Sequence, residues 1–505
     1  METTGAGTES WGGNLFTRNL EDNITKIQNI FRNDNTLIVR RLETRAEPKL
    51  RYALIYCDGM VNNKLTNEDI IRPLLEFAPA KSGRAPADLV DVIAAQVTLS
   101  DSVEKTQDIN QVIQAIVYGD SALFTEGFCE ALILNTKGWN TRSISEPENE
   151  KILRGPREGF CEALMTNLSL VRRRLRTPDL KMEFQTFGTR SQTKGCVCYL
   201  DGLVNRDVLE ELKKRLNAFS IDGTLDVNYI NEFIRDAPYS PIKTIGSTEK
   251  PDVIAAKLLE GRVALFLDGT PVVLTVPHLF IEHFQSDEDY YVNYYFASIG
   301  RLLRLLAFFI STSVPAIYVA LTTFHQEMLP TSLVISISMA RNGVPFPTVV
   351  EAMLMLVVFE MLRESGARMP GMMGQALSIV GALVIGQAAV QAKIVSAPMI
   401  IIVALTGIAG LMVPRIKGTS ILLRFGLLVM ASSLGLYGYM FGMLGLMVHL
   451  YSVSSFGIPI MNSAYSTTTQ DKKDFSSRAP WFMMDKRPKF LSPNRTRKSS
   501  GGNVS

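Results

Sequence analysis

The chain of 505 residues lacks the short signatures that announce most chemistries. It has no Walker loop, no Gly-x-Gly-x-x-Gly after a strand, no His-Glu-x-x-His and no Gly-x-Ser-x-Gly. Nucleotide, zinc-peptidase and serine-hydrolase readings therefore have nothing to rest on. Histidine is scarce: His278, His283, His325 and His449 are scattered without ligand spacing, and the turn offering His278, Glu282 and His283 is more simply structural. The five cysteines, Cys57, Cys129, Cys161, Cys196 and Cys198, are odd in number and form no Cys-x-x-Cys pair. That excludes a disulfide framework and a cysteine zinc site, and leaves core thiols. No catalytic residue, metal ligand or cofactor-binding residue is assigned, and the chain reads as a non-enzyme. The first thirty residues hold no unbroken apolar stretch, hence no secretory signal, so the polar part is expected to stay cytoplasmic.

What is present is concentrated in the last third. Residues 305–326, 369–392, 394–414 and 425–448 contain no Asp, Glu, Lys or Arg. About 20 such residues make a helix that crosses the hydrocarbon of a bilayer, so an all-α multispanning domain is expected over 296–465. Average figures hide this, because 47% hydrophobic residues and a net charge of +3 describe two unlike halves at once.

The polar half reads as a duplicated α/β head. Tyr56-Cys57-Asp58-Gly59-Met60-Val61-Asn62 returns 143 residues later as Tyr199-Leu200-Asp201-Gly202-Leu203-Val204-Asn205. Asp91-Val92-Ile93-Ala94-Ala95 returns as Asp252-Val253-Ile254-Ala255-Ala256, and Gly119 to Phe124 is echoed by Gly261 to Phe266, in the same order. The Asp-Gly pairs read as turns leaving strands in preference to catalytic acids, since glycine accepts positive φ and aspartate bonds its own backbone. The expected layout is a polar, flexible segment over 1–35, lobe 1 over 36–150 and a linker with a basic helix over 151–190. Lobe 2 follows over 191–295, and a basic tail over 466–505. The run Arg172-Arg173-Arg174-Leu175-Arg176 has acids nearby, so a solvated face or subunit contact is preferred and no nucleic-acid partner is expected.

Tyr290, Tyr291, Tyr294 and Tyr295 with Arg301 and Arg304 form an aromatic and basic belt, read as membrane-interface anchors. Residues 331–340 are apolar but too short to cross and read as a re-entrant or interfacial piece. The helical pattern over 344–363 carries Glu351 and Glu360, and carboxylates at bilayer depth are costly unless they face partners or water. These two, with Gln375 and Gln387 in the next span, are the candidate pore-lining residues. A tight hairpin is expected at Gln391-Ala392-Lys393. Sidedness conflicts: Arg415, Lys417 and Arg424, and a tail with nine Lys or Arg against three Asp, both favour the cytoplasm, yet a single crossing over 425–448 would separate them.

Several longer strings resemble the A subunits of the GerA-type nutrient germinant receptors of endospore-forming bacteria. They are Gly155-Pro156-Arg157-Glu158-Gly159-Phe160, Pro277-His278-Leu279-Phe280-Ile281-Glu282, the run from Ala320 to Pro330, the run from Gln375 to Ala389, and Arg478-Ala479-Pro480-Trp481. Asn342 departs from the acidic residue expected there. The resemblance implies a receptor in the spore inner membrane, so the cytoplasmic side expected above for the head would be the spore-core side. It further implies a transporter-like, nutrient-binding B subunit, a lipoprotein C subunit, and self-association into a ring with a nutrient-gated cation channel. A secondary transporter, or a scaffold subunit without its own pore, are the competing readings.

Overall fold

The computed structural model describes residues 15–78, 89–98, 100, 102–138, 150, 152, 154–368, 381, 384–462, 472–494, 496 and 497. The chain divides into two compact units, one of residues 1–235, 245–277 and 481–505, the other of 236–244 and 278–480.

The first unit opens with α1 (Leu20–Ile30), capped by the Asn19 side chain. Leu20, Ile24 and Ile27 recur on one face and, with Phe31, are buried against the first sheet. The segment expected to be flexible is therefore ordered from here on. Its polar composition hid an apolar stripe at helical spacing.

The first sheet contains β1 (Leu37–Glu43), β2 (Arg51–Cys57) and β3 (Val103–Thr106), then α2 (Ile109–Tyr118), β4 (Ser121–Thr125) and β5 (Ala131–Leu134), in the order β1-β2-β4-β5-β3. After α3 (Leu164–Arg174) come β6 (Leu180–Phe187), β7 (Thr193–Leu200), α4 (Arg206–Ala218), α5 (Val227–Ile234), β8 (Gly246–Thr248), α6 (Pro251–Leu259), β9 (Val263–Leu267) and β10 (Val273–Val276). The second sheet runs β6-β7-β9-β10-β8, the same antiparallel topology strand for strand.

The repeated Tyr-x-Asp-Gly strings occupy the same place in both sheets. Asp58 Oδ1 accepts from the Gly59 N–H (2.9 Å) and Asp201 Oδ1 from the Gly202 N–H (3.0 Å), with both glycines at φ 76°. Asn62 and Asn205, three residues on, cap the helices that follow. The pattern is a strand, a left-handed turn and a helix start, which gives its Asp, Gly and Asn each a structural task.

The stretch expected as a linker belongs to the second core. Leu164, Leu168 and Val171 of α3 pack with Leu180, Met182, Cys196 and Phe266. Arg172, the first of the basic run, is buried and donates to Asp34 Oδ2 (2.6 Å) and Thr36 Oγ1 (3.1 Å). Arg173 and Arg174 instead pair with Glu158 near the surface. Residues 481–497 of the expected tail also fold into this unit, where Ser492 donates to the Leu203 carbonyl and Arg497 faces Glu260.

Burial pushes the Cys57 thiol up to about 11 and the Cys198 thiol up to about 12, and raises Cys196 well above the ordinary thiol range. The thiolate is the reactive form. Cys129 and Cys161 are only half-buried. Alkylation of the native protein at neutral pH is expected to modify Cys129 and Cys161 alone, with the other three reacting only after denaturation, as counted by intact mass.

The second unit is helical. α7 (Tyr294–Thr323) and residues 414–434 are long and apolar enough to cross a membrane, and Ala397–Leu411 is a shorter apolar helix. Between them lie α8 (Thr331–Arg341) and α9 (Thr348–Arg368). Residues 384–391 are helical, and most of the expected span 369–392, with Gln375, lies outside the described residues. The chain turns at Lys393, φ 54°, into α10 (Ala397–Leu411).

The expected single crossing over 425–448 is two helices, α11 (Lys417–Leu434) and α12 (Leu436–Ser452), broken at Gly435 with φ 63° and ψ −138°. A Cβ on Gly438 would stand 1.9 Å from the Met430 carbonyl oxygen, and one on Gly442 2.7 Å from Leu427. The two arms thus fold back on each other as a close-packed hairpin, each about 26 Å long at 1.5 Å per residue. The hairpin removes the separation of Arg415 and Lys417 from Arg478, whereas Arg424 lies buried inside α11. α12 returns to the end from which α11 left, so the basic residues before and after the hairpin share one end.

The contacts at that end are explicit. Arg415 donates to the Gln285 carbonyl (2.9 Å) and faces Asp287, His449 meets Ser240 (2.8 Å), and Asp474 and Arg478 bond to Arg301 and Ser298 at the start of α7. At the opposite end Gly435 lies against Phe324 and His325, and Gly343 against Lys393.

Candidate functional site

Charge inside the helical unit is gathered in three layers along α7 and α9. At the end where α7 begins, Asp289 accepts from Arg301 Nε (3.0 Å) and Arg304 Nη2 (2.7 Å), while Arg301 Nη1 reaches Asp474 Oδ1 (2.7 Å). Burial alone would raise the Asp289 pKa. The hydrogen bond and charge of Arg304, the Ser286 N–H and the Arg301 charge together hold it below the usual carboxylate range.

Arg301 is fully buried, so it anchors the chain that follows α12 and not the lipid interface. Tyr290 likewise turns inward and donates its hydroxyl to Asp474 (2.7 Å). Of the expected belt, Tyr291 and Tyr295 are exposed, joined by Phe296, Leu302 and Leu303. Tyr294 and Arg304 are partly exposed.

The middle layer centres on Glu360. Pro315 inside α7 has no N–H, which frees the carbonyl of Ser311 one turn earlier. Arg424 of α11 fills that gap, its Nε donating to Ser311 O (2.6 Å) while Nη1 meets Glu360 Oε1 (2.9 Å). Glu360 Oε2 also pairs with Arg363. Gly410 of α10 makes room for both guanidiniums, with its missing Cβ 3.7 Å from each.

The third layer holds Glu351, which has no exposed surface. Its Oε1 accepts from the N–H and hydroxyl of Ser396 at the start of α10, both at 2.5 Å. Its Oε2 faces Arg341 Nε at 3.9 Å, and neither of those two atoms makes a hydrogen bond among the described residues. Arg341 also lines a cavity of about 520 Å³ at this end, together with Thr322, Gln326, Val334, Ile337 and Ser338.

Within this chain neither candidate pore-lining acid is open to solvent. Each is matched with arginine inside one chain. Nine residues separate them, two and a half helical turns, so they leave α9 on roughly opposite sides and cannot line one path from one face. Gln387 is exposed. Sequence reasoning gave Arg341 no role and read Arg424 as a marker of sidedness, not as the partner of Glu360. The available signal was that each is a lone cation beside apolar helix, as Glu351 and Glu360 are lone anions.

One unit thus holds two antiparallel sheets of one topology, and the other is helical, with two helices long and apolar enough to cross a membrane and charge paired internally. The chain belongs to the GerA family: the family model described as Bacillus/Clostridium GerA spore germination protein matches residues 25–490. Among its relatives, spore germination protein KA of Bacillus subtilis is 41% identical over 480 residues, 95% of this chain and 88% of that protein. The uncharacterized membrane protein YfkQ of the same organism is 43% identical over 86% of this chain and 84% of that protein. Spore germination protein A1 of B. subtilis is 38% identical over 88% of this chain and 94% of that protein. The N-terminal domain of the A subunit of the Bacillus megaterium spore germinant receptor GerK3 is similar in structure at a TM-score of 0.43. It is 29% identical, covering 53% of this chain and 97% of that one.

Proposed function

We propose that this chain is the A subunit of a nutrient-sensing spore germination receptor, embedded in the spore inner membrane with its duplicated α/β head on the core side. It acts without catalysis, in company with a nutrient-binding B subunit and a lipoprotein C subunit, and assembles into a ring that passes cations when nutrient binds. Family membership over nearly the whole chain supports the receptor role. The observation that carries the membrane part is the helical unit itself, with apolar side chains such as Leu302, Phe309, Ile408 and Leu444 outside and every acid named above paired within.

The same pairing supports a closed state. Carboxylate rings favour cations in a pore only when the acids are free to face the ion. Opening therefore requires that Glu351 part from Arg341, or Glu360 from Arg424. Basic residues at the end where α7 begins, Arg415 and Lys417 among them, support placing that end toward the core.

The test is cation flux from liposomes holding the chain with its B and C subunits, together with the mass of the detergent-extracted assembly. Several copies per particle and flux triggered by nutrient are expected. A single copy per particle, and no flux with all three subunits and nutrient present, would overturn the reading.

A further inference from the structure

The cavity at the end where α7 finishes is not needed for the pairing of any acid, and its lining is chemically divided. Val334, Ile337, Ser338 and Arg341 all come from α8, at spacings of three and four, so one face of that helix forms a wall. The upper part of the wall is apolar and the lower part ends in a guanidinium. Across the cavity are Thr322 in the last turn of α7 and Gln326 in the short turn that follows it.

The remaining faces of α8 carry Leu333 and Ile335, exposed by 45% and 54%, while Met339, exposed by 73%, also borders the cavity, and no residue of this helix is buried. An exposed apolar helix belongs in contact with acyl chains if the unit lies in a bilayer, as proposed above. The neighbouring charges are few. Lys393 approaches Gly343, which also lines the cavity; Glu351 lies beneath, and Glu327 is exposed on the preceding turn.

Arg341 is incompletely engaged. Its Nε stands 3.9 Å from Glu351 and makes no hydrogen bond among the described residues, whereas Glu351 is already held through its other oxygen by Ser396. A planar guanidinium with unspent donors, at the foot of an apolar wall and near a lysine, matches a phosphate oxyanion on an apolar body. We propose that this cavity binds the phosphate of an anionic phospholipid, with Arg341 as its ligand and α8 as the wall for the chain. Arg341 then divides itself between the lipid phosphate and Glu351.

Only the source of the ligand rests on the membrane reading; the oxyanion chemistry does not. The experiment uses the full chain in detergent and follows its thermal midpoint during titration with dihexanoyl phosphatidylglycerol, dihexanoyl phosphatidylcholine or inorganic phosphate. Saturable stabilisation by phosphatidylglycerol is expected, with phosphatidylcholine weaker. Arg341→Gln raises the half-saturating concentration at least about tenfold, the scale of a charge-assisted hydrogen bond. Glu351→Gln lowers it about two- to fivefold, because the guanidinium is no longer shared.

Opposite signs for the two substitutions are what a merely structural role would not produce. Should Arg341→Gln fail to fold, Ser338→Phe places a ring in the cavity with both charges retained and should abolish the effect. Equal stabilisation by inorganic phosphate keeps the oxyanion site and removes the lipid as its source. No saturable shift with any probe, or an unchanged one in Arg341→Gln, overturns the proposal.

Discussion

Replacing Arg172 with alanine is expected to destabilise the head by about 3–5 kcal/mol, the cost of leaving a buried charge without its partner. The partner is Asp34, whose carboxylate has no exposed surface and, among the described residues, otherwise receives the N–H (3.0 Å) and hydroxyl (2.7 Å) of Thr36. The guanidinium also touches the Met182 sulfur at 3.5 Å and Thr36 at 3.1 Å, so alanine would leave a hole lined by polar atoms.

The location magnifies the effect. Asp34 leads from α1 into the first sheet and Arg172 sits in the core of the second. The neighbouring links, Asn35 N–H to Met182 O (2.9 Å) and Lys181 Nζ to Ile30 O (2.9 Å), depend on the same approach. Calorimetry of the full chain in detergent should show the head transition falling by about 6–15 °C, on the usual conversion for a unit of this size. The double change Asp34→Leu with Arg172→Met removes both charges and should recover much of the loss. A shift under about 2 °C for Arg172→Ala would mean the bridge contributes little.

The duplication was legible in the sequence because its signature is made of turn and cap residues, and those are fixed by backbone geometry. Asp58-Gly59 and Asp201-Gly202 must each leave a strand in a left-handed turn, so they survive in register however the surrounding core is repacked. Arg172 was not legible. A run of four arginines in five positions reads as a solvated face, and only the fold reveals that one of them points into a core while its neighbours meet Glu158.

The break at Gly435 was hidden for the opposite reason. An unbroken apolar run carries no charge to mark a turn, and a glycine within it reads as close packing as readily as a reversal. Sequence spacing did show that Glu351 and Glu360 need company. It could not show whose, because Arg424 lies 64 residues beyond Glu360 and Ser396 45 beyond Glu351.

The Glu360–Arg424 pair should reveal itself as strong coupling in a double-mutant cycle. Glu360→Gln leaves Arg424, which is fully buried, with the Ser311 carbonyl and no counter-charge, and Arg424→Gln leaves Glu360 with Arg363 alone. Each single change is expected to lower the thermal midpoint of the detergent-extracted chain by several degrees, Arg424→Gln more, since it also strands the carbonyl that Pro315 frees. Together they should cost less than their sum, by an interaction of about 0.5–3 kcal/mol. Gly410→Ala tests the same packing sterically, because its methyl would stand 3.7 Å from both guanidiniums and be tolerated, whereas Gly407→Ala would place a carbon 2.2 Å from the Phe359 ring and not be. Additive losses would show that the two charges act separately. In that case Glu360 is free to serve some other partner, and the closed state proposed for this layer loses its lock.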